Sequence, residues 1–322
     1  MPRPLIRLLL LSIAMLAALP ALAAHVDPKP YFRNPDIRQV VLSPSGEYLA
    51  ILSLVHGRIG IVVTAIAVRD PKVIAVVDGF DIASVAWVND NRLVFNVFDG
   101  QSGLGEQKGG GMFAVDRDGS NSRILVPNAI NQAETGSFHL RLMSLMSTLR
   151  DGSDDVLVES NENNERSADV FRLNTRTGRK TLLSLDRPGD AIDWIADANG
   201  KLRGVLTMEK ATVEKAWWRK SEDDKWQLIG EYGLRDSRTL PVAFDGDGSM
   251  IVASNVGRDT FALFRWDEKN NVRGEMLAGY SRADIDGGLI FDRQRNKIVG
   301  VNYDAERPGT AWFDEDVARI AK

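Results

Sequence analysis

AFDGDGSMIVAS, residues 243–254, runs an apolar segment into a tight Asp/Gly turn and a second apolar segment out of it. The same figure returns in LIFDRQRNKIVG (289–300) and, one stride before the first, in DWIADANGKLRGVL (193–206). Aligned on the turn residue before each returning strand, the anchors are Gly46, Asn91, Gly152, Gly200, Gly248 and Asn296. Their intervals are 45, 61, 48, 48 and 48. The long interval contains DGQSGLGEQKGGGM (99–112), a Gly-rich insertion between two strand-like runs. Gly, Asn and Asp occupy such turns because they tolerate the positive φ of tight hairpins.

Each unit then offers a third and a fourth run around another polar turn, as in DVFRLNTRTGRKTLL (169–183) and TFALFRWDEKNNVRGEML (260–277). The apolar residues alternate or cluster in short runs bounded by turn residues, which is a strand pattern rather than a helical one. Four short antiparallel strands per roughly 45–50 residues, repeated, predict an all-β fold, a β-propeller of four-stranded blades. Stacking blades about an axis buries both apolar faces of each sheet and leaves only short edges. Strand spacing alone would also accommodate two β-sandwiches, but a fixed stride does not follow from that arrangement. About six blades are expected, over 37–78, 83–126, 138–186, 190–230, 239–278 and 285 onward, the last incomplete.

The flanks are of different material. Arg3 and Arg7 precede an apolar run over residues 8–19, and Ala21 and Ala23 give the small-x-small spacing of a cleavage site. Residues 1–23 therefore read as a cleavable signal peptide, 24–36 as an N-terminal segment, 37–314 as the propeller and 315–322 as a tail beginning a helix. The apolar run is short for a membrane span of about 20 residues, so no stable span is expected after cleavage. A periplasmic or secreted location follows. Net charge is −4 without a basic block, which gives no footprint for nucleic acid. There is no cysteine, so disulfides, thiolate nucleophiles and Cys-ligated metals are excluded.

Taken in order, PYFRNPDIRQVVLSPSGEYLAIL, VAWVNDNRLVF, DVFRLNTRTGRKTLL, PVAFDGDG, GRDTFALFRWD and GGLIFDRQRNKIVGVNYDAERPGTAWFD resemble the N-terminal propeller of secreted bacterial serine peptidases of the prolyl oligopeptidase family. The resemblance spans nearly all of residues 30–314. It implies a propeller that precedes an α/β-hydrolase domain bearing a Gly-x-Ser-x-Gly elbow, then Asp, then His. The chain ends before such a domain would start, so no catalytic residue of the family maps onto a position here.

The residues themselves offer no catalytic constellation either. GQSGL (100–104) has the wrong spacing for the elbow, and a serine nucleophile needs a base. The chain has three histidines, His25, His56 and His139, and none has a legible partner. DGDGS (245–249) and DRDGSNS (116–122) resemble calcium loops but lack the late Glu, so no metal or other cofactor is expected. The Gly-rich insertion lacks phosphate-loop spacing and reads as an inter-strand loop, one that would line the mouth of a central channel. In AWWRK, Trp217 and Trp218 must point to opposite faces of a strand. One can fill an inter-blade core while the other meets a partner, so these two are the candidate interaction residues.

Two functions are open at this point. The chain is the non-catalytic, substrate-gating portion of an exported peptidase, inactive alone, with peptides and an α/β-hydrolase domain as partners. Alternatively it is a stand-alone periplasmic propeller that binds a protein or peptide as a scaffold. A propeller with its own axial active site would need convergent His or carboxylates, which three scattered histidines do not supply.

Overall fold

The computed structural model describes residue 27 and residues 36–100, 110–127, 141–149 and 151–321. Residues 36–322 form one compact unit. Residues 1–23, His25, His139 and the Gly-rich stretch 101–109 lie outside the described residues.

Among the described residues six antiparallel sheets follow one another along the chain. Blade 1 is β1 (Ile37–Leu42), β2 (Tyr48–Val55), β3 (Arg58–Ala65) and β4 (Lys72–Ala75). Blade 2 is β5 (Asp81–Trp87), β6 (Arg92–Phe98), β7 (Met112–Asp116) and β8 (Arg123–Val126). Blade 3 is β9 (Met143–Thr148), β10 (Asp155–Ser160), β11 (Asp169–Asn174) and β12 (Lys180–Leu182). Blade 4 is β13 (Ala191–Ala196), β14 (Leu202–Glu209), β15 (Val213–Trp218) and β16 (Gln227–Gly233). Blade 5 is β17 (Thr239–Phe244), β18 (Met250–Ser254), β19 (Ala262–Asp267) and β20 (Val272–Gly279). Blade 6 has three strands, β21 (Leu289–Asp292), β22 (Lys297–Asp304) and β23 (Pro308–Trp312). Every sheet runs in sequence order, so the first strand of each blade is an edge strand. This is the expected propeller, and among the described residues its sixth blade has three strands. A short helix, α1 (Glu315–Ile320), follows. The Asp314 carboxylate starts it by accepting the N–H groups of Asp316 and Val317. Among the described residues no helix is long and apolar enough to cross a membrane.

The turns show why the stride exists. Gly46, Gly152, Gly200 and Gly248 all hold φ between 76° and 85°, and Asn296 holds 50°. In the hairpins of blades 4 and 5 the glycine N–H closes back on the carbonyl of Asp197 or Asp245 at 2.9 and 2.8 Å. Asn91 is the exception. Its turn is held instead by the Asn89 side chain, which accepts the N–H groups of Asn91 and Arg92 at 3.0 and 2.9 Å. A local Asx turn thus replaces the left-handed residue.

Between consecutive blades lies a dry layer contributed by both. Ile59 and Ile61 of blade 1 meet Ile82 and Phe95 of blade 2. Val94 and Met112 of blade 2 meet Val156 and Phe171 of blade 3. Val170 of blade 3 meets Trp194 and Val205 of blade 4. Trp218 of blade 4 meets Met250 and Trp266 of blade 5, and Ile251 and Leu263 of blade 5 meet Ile298 and Val301 of blade 6. Polar ties reinforce the layers. The Trp87 indole N–H reaches back to the Val41 carbonyl at 3.1 Å, and Trp194 does the same to Ala168 at 2.8 Å. The Arg203 guanidinium lies 4.3 Å over the Phe244 ring and donates to the Gly248 carbonyl at 3.3 Å. The other face of blade 1 is more open. Its in-register row Val40–Ile51–Val62–Val73 is exposed at its two ends, at 52% and 54%.

Candidate functional site

Because every first strand is an edge strand, one side of each has no partner within its own sheet. In blades 3 to 6 these strands, β9, β13, β17 and β21, enclose a common cavity. Its main chamber holds about 910 Å3 and is reached also by Pro44 of blade 1 and Ala86 of blade 2. That combination of walls identifies it as the axial cavity of the propeller. A second chamber of about 510 Å3 shares Met146, Ser147 and Val242 with it. A third, of about 480 Å3, shares Asp193, Pro241, Val242 and Asp286 with the second and opens where the inner strands begin.

The walls differ from end to end. Where the inner strands finish, the lining carries Asp151, Asp197 and Arg293. Where they start, it carries Asp193, Asp236 and Asp286, with Arg235 and Arg238. Arg238 is engaged by Glu214 at 2.9 Å, and the Asp236 carboxylate accepts the Gly233 N–H at 2.7 Å.

Behind Asp193 stands Glu159 of β10. Its burial, and secondarily the Asp193 charge, push its pKa up to about 7, partly offset by the Trp194 N–H. Burial also raises Asp193, although solvent reaches it through the cavity. A carboxyl whose folded pKa exceeds its unfolded value of 4.5 binds more protons in the native state. Its contribution is therefore full at low pH and is lost as pH rises through 4.5 towards 7. Discounted for water in the cavity, Glu159→Gln is expected to stabilise the protein by about 1–2 kcal/mol at pH 8 and by nothing at pH 4. Urea midpoints at the two pH values check this, and equal shifts at both would remove Glu159 as the titrating group.

The residues singled out in the sequence are placed as follows. Trp218 is 2% exposed and fills the layer between blades 4 and 5, its indole donating to the Asn271 side chain at 3.1 Å. Trp217 points to the other face, half-buried against the layer between blades 3 and 4, and donates to the Thr207 hydroxyl at 3.0 Å. His56 sits with Gly57 in the two-residue turn between β2 and β3, both at positive φ, as such a turn requires. It is exposed and remote from the axial lining. Of the DGDGS loop, Asp245 accepts the buried N–H of Ile298 in the next blade at 2.8 Å. Gly100 packs on Asp81 and Phe98, where a Cβ would stand 2.6 and 2.9 Å from their side chains. Sequence reasoning did not single out Glu159, Asp193, Asp286 or Arg293. Their only signal is position, at the ends and on the faces of the inner strands.

No family model matches the chain. It is 23% identical, over 321 aligned residues, to dipeptidyl aminopeptidase BIII of Pseudoxanthomonas mexicana, covering 94% of this chain and 44% of that protein. The chain thus spans less than half the length of the curated relative it matches. Among solved structures it shares a fold with an oligogalacturonate lyase in complex with manganese, at TM-score 0.50 and 12% identity, over 89% of this chain and 80% of that one. An acylaminoacyl peptidase of Pyrococcus horikoshii aligns at TM-score 0.48 and 13% identity over 90% of this chain and 47% of that one. The chain is homologous to part of a dipeptidyl aminopeptidase, and with its six blades it resembles the N-terminal propeller of the prolyl oligopeptidase family of serine peptidases.

Proposed function

We propose that this chain is the substrate-gating propeller portion of an exported serine peptidase of the prolyl oligopeptidase family, and that it hydrolyses nothing by itself. The observation that carries the reading is the homology over 94% of this chain to less than half of a dipeptidyl aminopeptidase. The axial cavity supports the gating role, since a chamber of about 910 Å3 has room for a short extended peptide and none for a folded protein. Export rests on residues 1–23. Its partners are short peptides and an α/β-hydrolase domain, and the accessible edge of Trp217, on the third strand of blade 4, is the surface offered to a partner.

A fluorophosphonate probe is expected to leave the purified chain unlabelled, and dipeptidyl anilide substrates to remain intact. Expressed in a bacterium with the signal segment in place, the chain is expected in the periplasmic fraction, beginning at Ala24. A covalent adduct on the chain defeats the non-catalytic reading, and an uncleaved chain in the cytoplasm defeats export.

A further inference from the structure

We propose that the axial cavity holds a peptide of roughly six residues in a single orientation, its carboxylate at Arg293 and its amine at the mouth formed by Asp193 and Asp286. This rests on the gating reading above and adds the substrate's polarity to it.

Internal pairing leaves opposite charge at the two ends of the cavity. Where the inner strands finish, Asp151 is engaged by Arg172 at 3.0 Å and Asp197 lies 4.0 Å from Arg203. Asp197 also accepts the N–H groups of Asn199 and Lys201, and Asp151 that of Ser153. Arg295 and Lys297 of the neighbouring turn are committed to Asp314 at 3.3 and 3.2 Å. Arg293 has no ion pair or hydrogen bond among the described residues. Arg293 is exposed at the end of the cavity, with its pKa lowered by the adjoining wall's partial desolvation, so an anion there would meet a guanidinium that has no internal partner.

At the other mouth the balance is reversed. Arg238 is neutralised by Glu214, leaving the carboxylates of Asp193, Asp236 and Asp286 against the guanidinium of Arg235. Glu159 adds to the negative side behind Asp193. An ammonium group arriving here relieves the like-charge crowding that adds to burial in raising Glu159, whereas a carboxylate deepens it.

Asp286 and Arg293 bracket the four residues of β21, which rise roughly 13 Å, and with the flanking residues the chain between them spans at most roughly 23 Å. An extended peptide of about six residues matches that span. The free edges of β9, β13, β17 and β21 present N–H and C=O groups to the axis without a strand partner in their own sheets. An extended peptide can pair with such an edge, so main-chain bonds supply affinity while the two mouths set direction.

The test is calorimetric titration at low salt of hexa-alanine, its N-acetyl form and its C-terminal amide into the purified chain, with Arg293→Gln and Asp193→Asn/Asp286→Asn variants whose melting matches the parent. Blocking either terminus is expected to weaken binding about tenfold, the size of one charge-assisted contact. Arg293→Gln is expected to abolish the penalty of amidation and keep that of acetylation; the double Asn variant is expected to do the reverse. If all three peptides bind the parent equally, orientation is refuted while the cavity remains a peptide site. If the variants exchange roles, the peptide lies the other way and the proposal fails. If no form binds at millimolar concentration, both this proposal and the gating reading fall.

Discussion

Arg92→Ala is expected to cost about 3–5 kcal/mol in urea unfolding, the loss associated with uncoupling a buried ion pair. Arg92 opens β6 and has no exposed surface. Its guanidinium donates to the Asp116 carboxylate at 3.0 Å and to the Asn121 carbonyl at 2.7 Å within blade 2. It also crosses to blade 3, where the Thr175 carbonyl and hydroxyl accept at 2.7 and 3.3 Å. Asp116, itself buried, is held from the blade 3 side by Arg176 at 3.1 Å. Alanine would leave several buried acceptors without a donor and open a hole between two sheets.

The same site sets a pH dependence. Burial pushes Asp116 up, but hydrogen bonds from Asn121, Arg176 and Arg92 outweigh it and hold the carboxyl below its usual value of 3.8. Its contribution is present above that value and lost as pH falls below it, so part of the Arg92→Ala penalty is expected to fade in acid. Arg176→Ala is the comparison, because Arg176 is more exposed and should cost about 1 kcal/mol. Equal costs for the two variants would show that this arginine does not hold the blades together.

What was legible in the sequence is what repeats. The spacing of Gly152, Gly200, Gly248 and Asn296 announces hairpins, because a left-handed residue is needed at one point in each. The alternating runs then yield sheets, and sheets with two apolar faces must stack. The opposed faces of Trp217 and Trp218 follow from strand geometry in the same way. Residues that act across a junction were not legible. Arg92 looks like a polar residue after a turn, and Asp193 like the solvent face of an edge strand. Each is defined by a neighbour far along the chain and in another blade, Thr175 for Arg92 and Glu159 for Asp193. The axial cavity has the same origin: it exists only where four inner strands from four blades converge, and no local pattern records it.

Gly246→Ala is expected to cost about 2–4 kcal/mol and to release blade 6 before the rest of the ring. The DGDG run reads locally as two turn glycines, yet only Gly248 holds positive φ. Gly246 is required for a different reason. A Cβ there would stand 1.5 Å from the Asn296 carbonyl oxygen, which belongs to the corresponding turn of blade 6. Backbone cannot yield as a side chain can, so the two turns must part. Parting them strains the bond from the buried Ile298 N–H to Asp245 at 2.8 Å and the bond from the Asn296 amide to the Gly246 carbonyl at 3.2 Å. Gly248→Ala is the control. It strains a φ of 85° but meets nothing closer than the Arg203 guanidinium at 3.5 Å. That change should cost about 1 kcal/mol without favouring one blade. Hydrogen exchange separates the two outcomes. In Gly246→Ala the amides of Ile298, Val299 and Val301 should lose protection while those of Val94 and Val115 keep it. Uniform loss, or none, would mean that blade 6 is held by its apolar layer alone. The two turns one stride apart would then only be neighbours, and the fixed period would order the sheets without joining them.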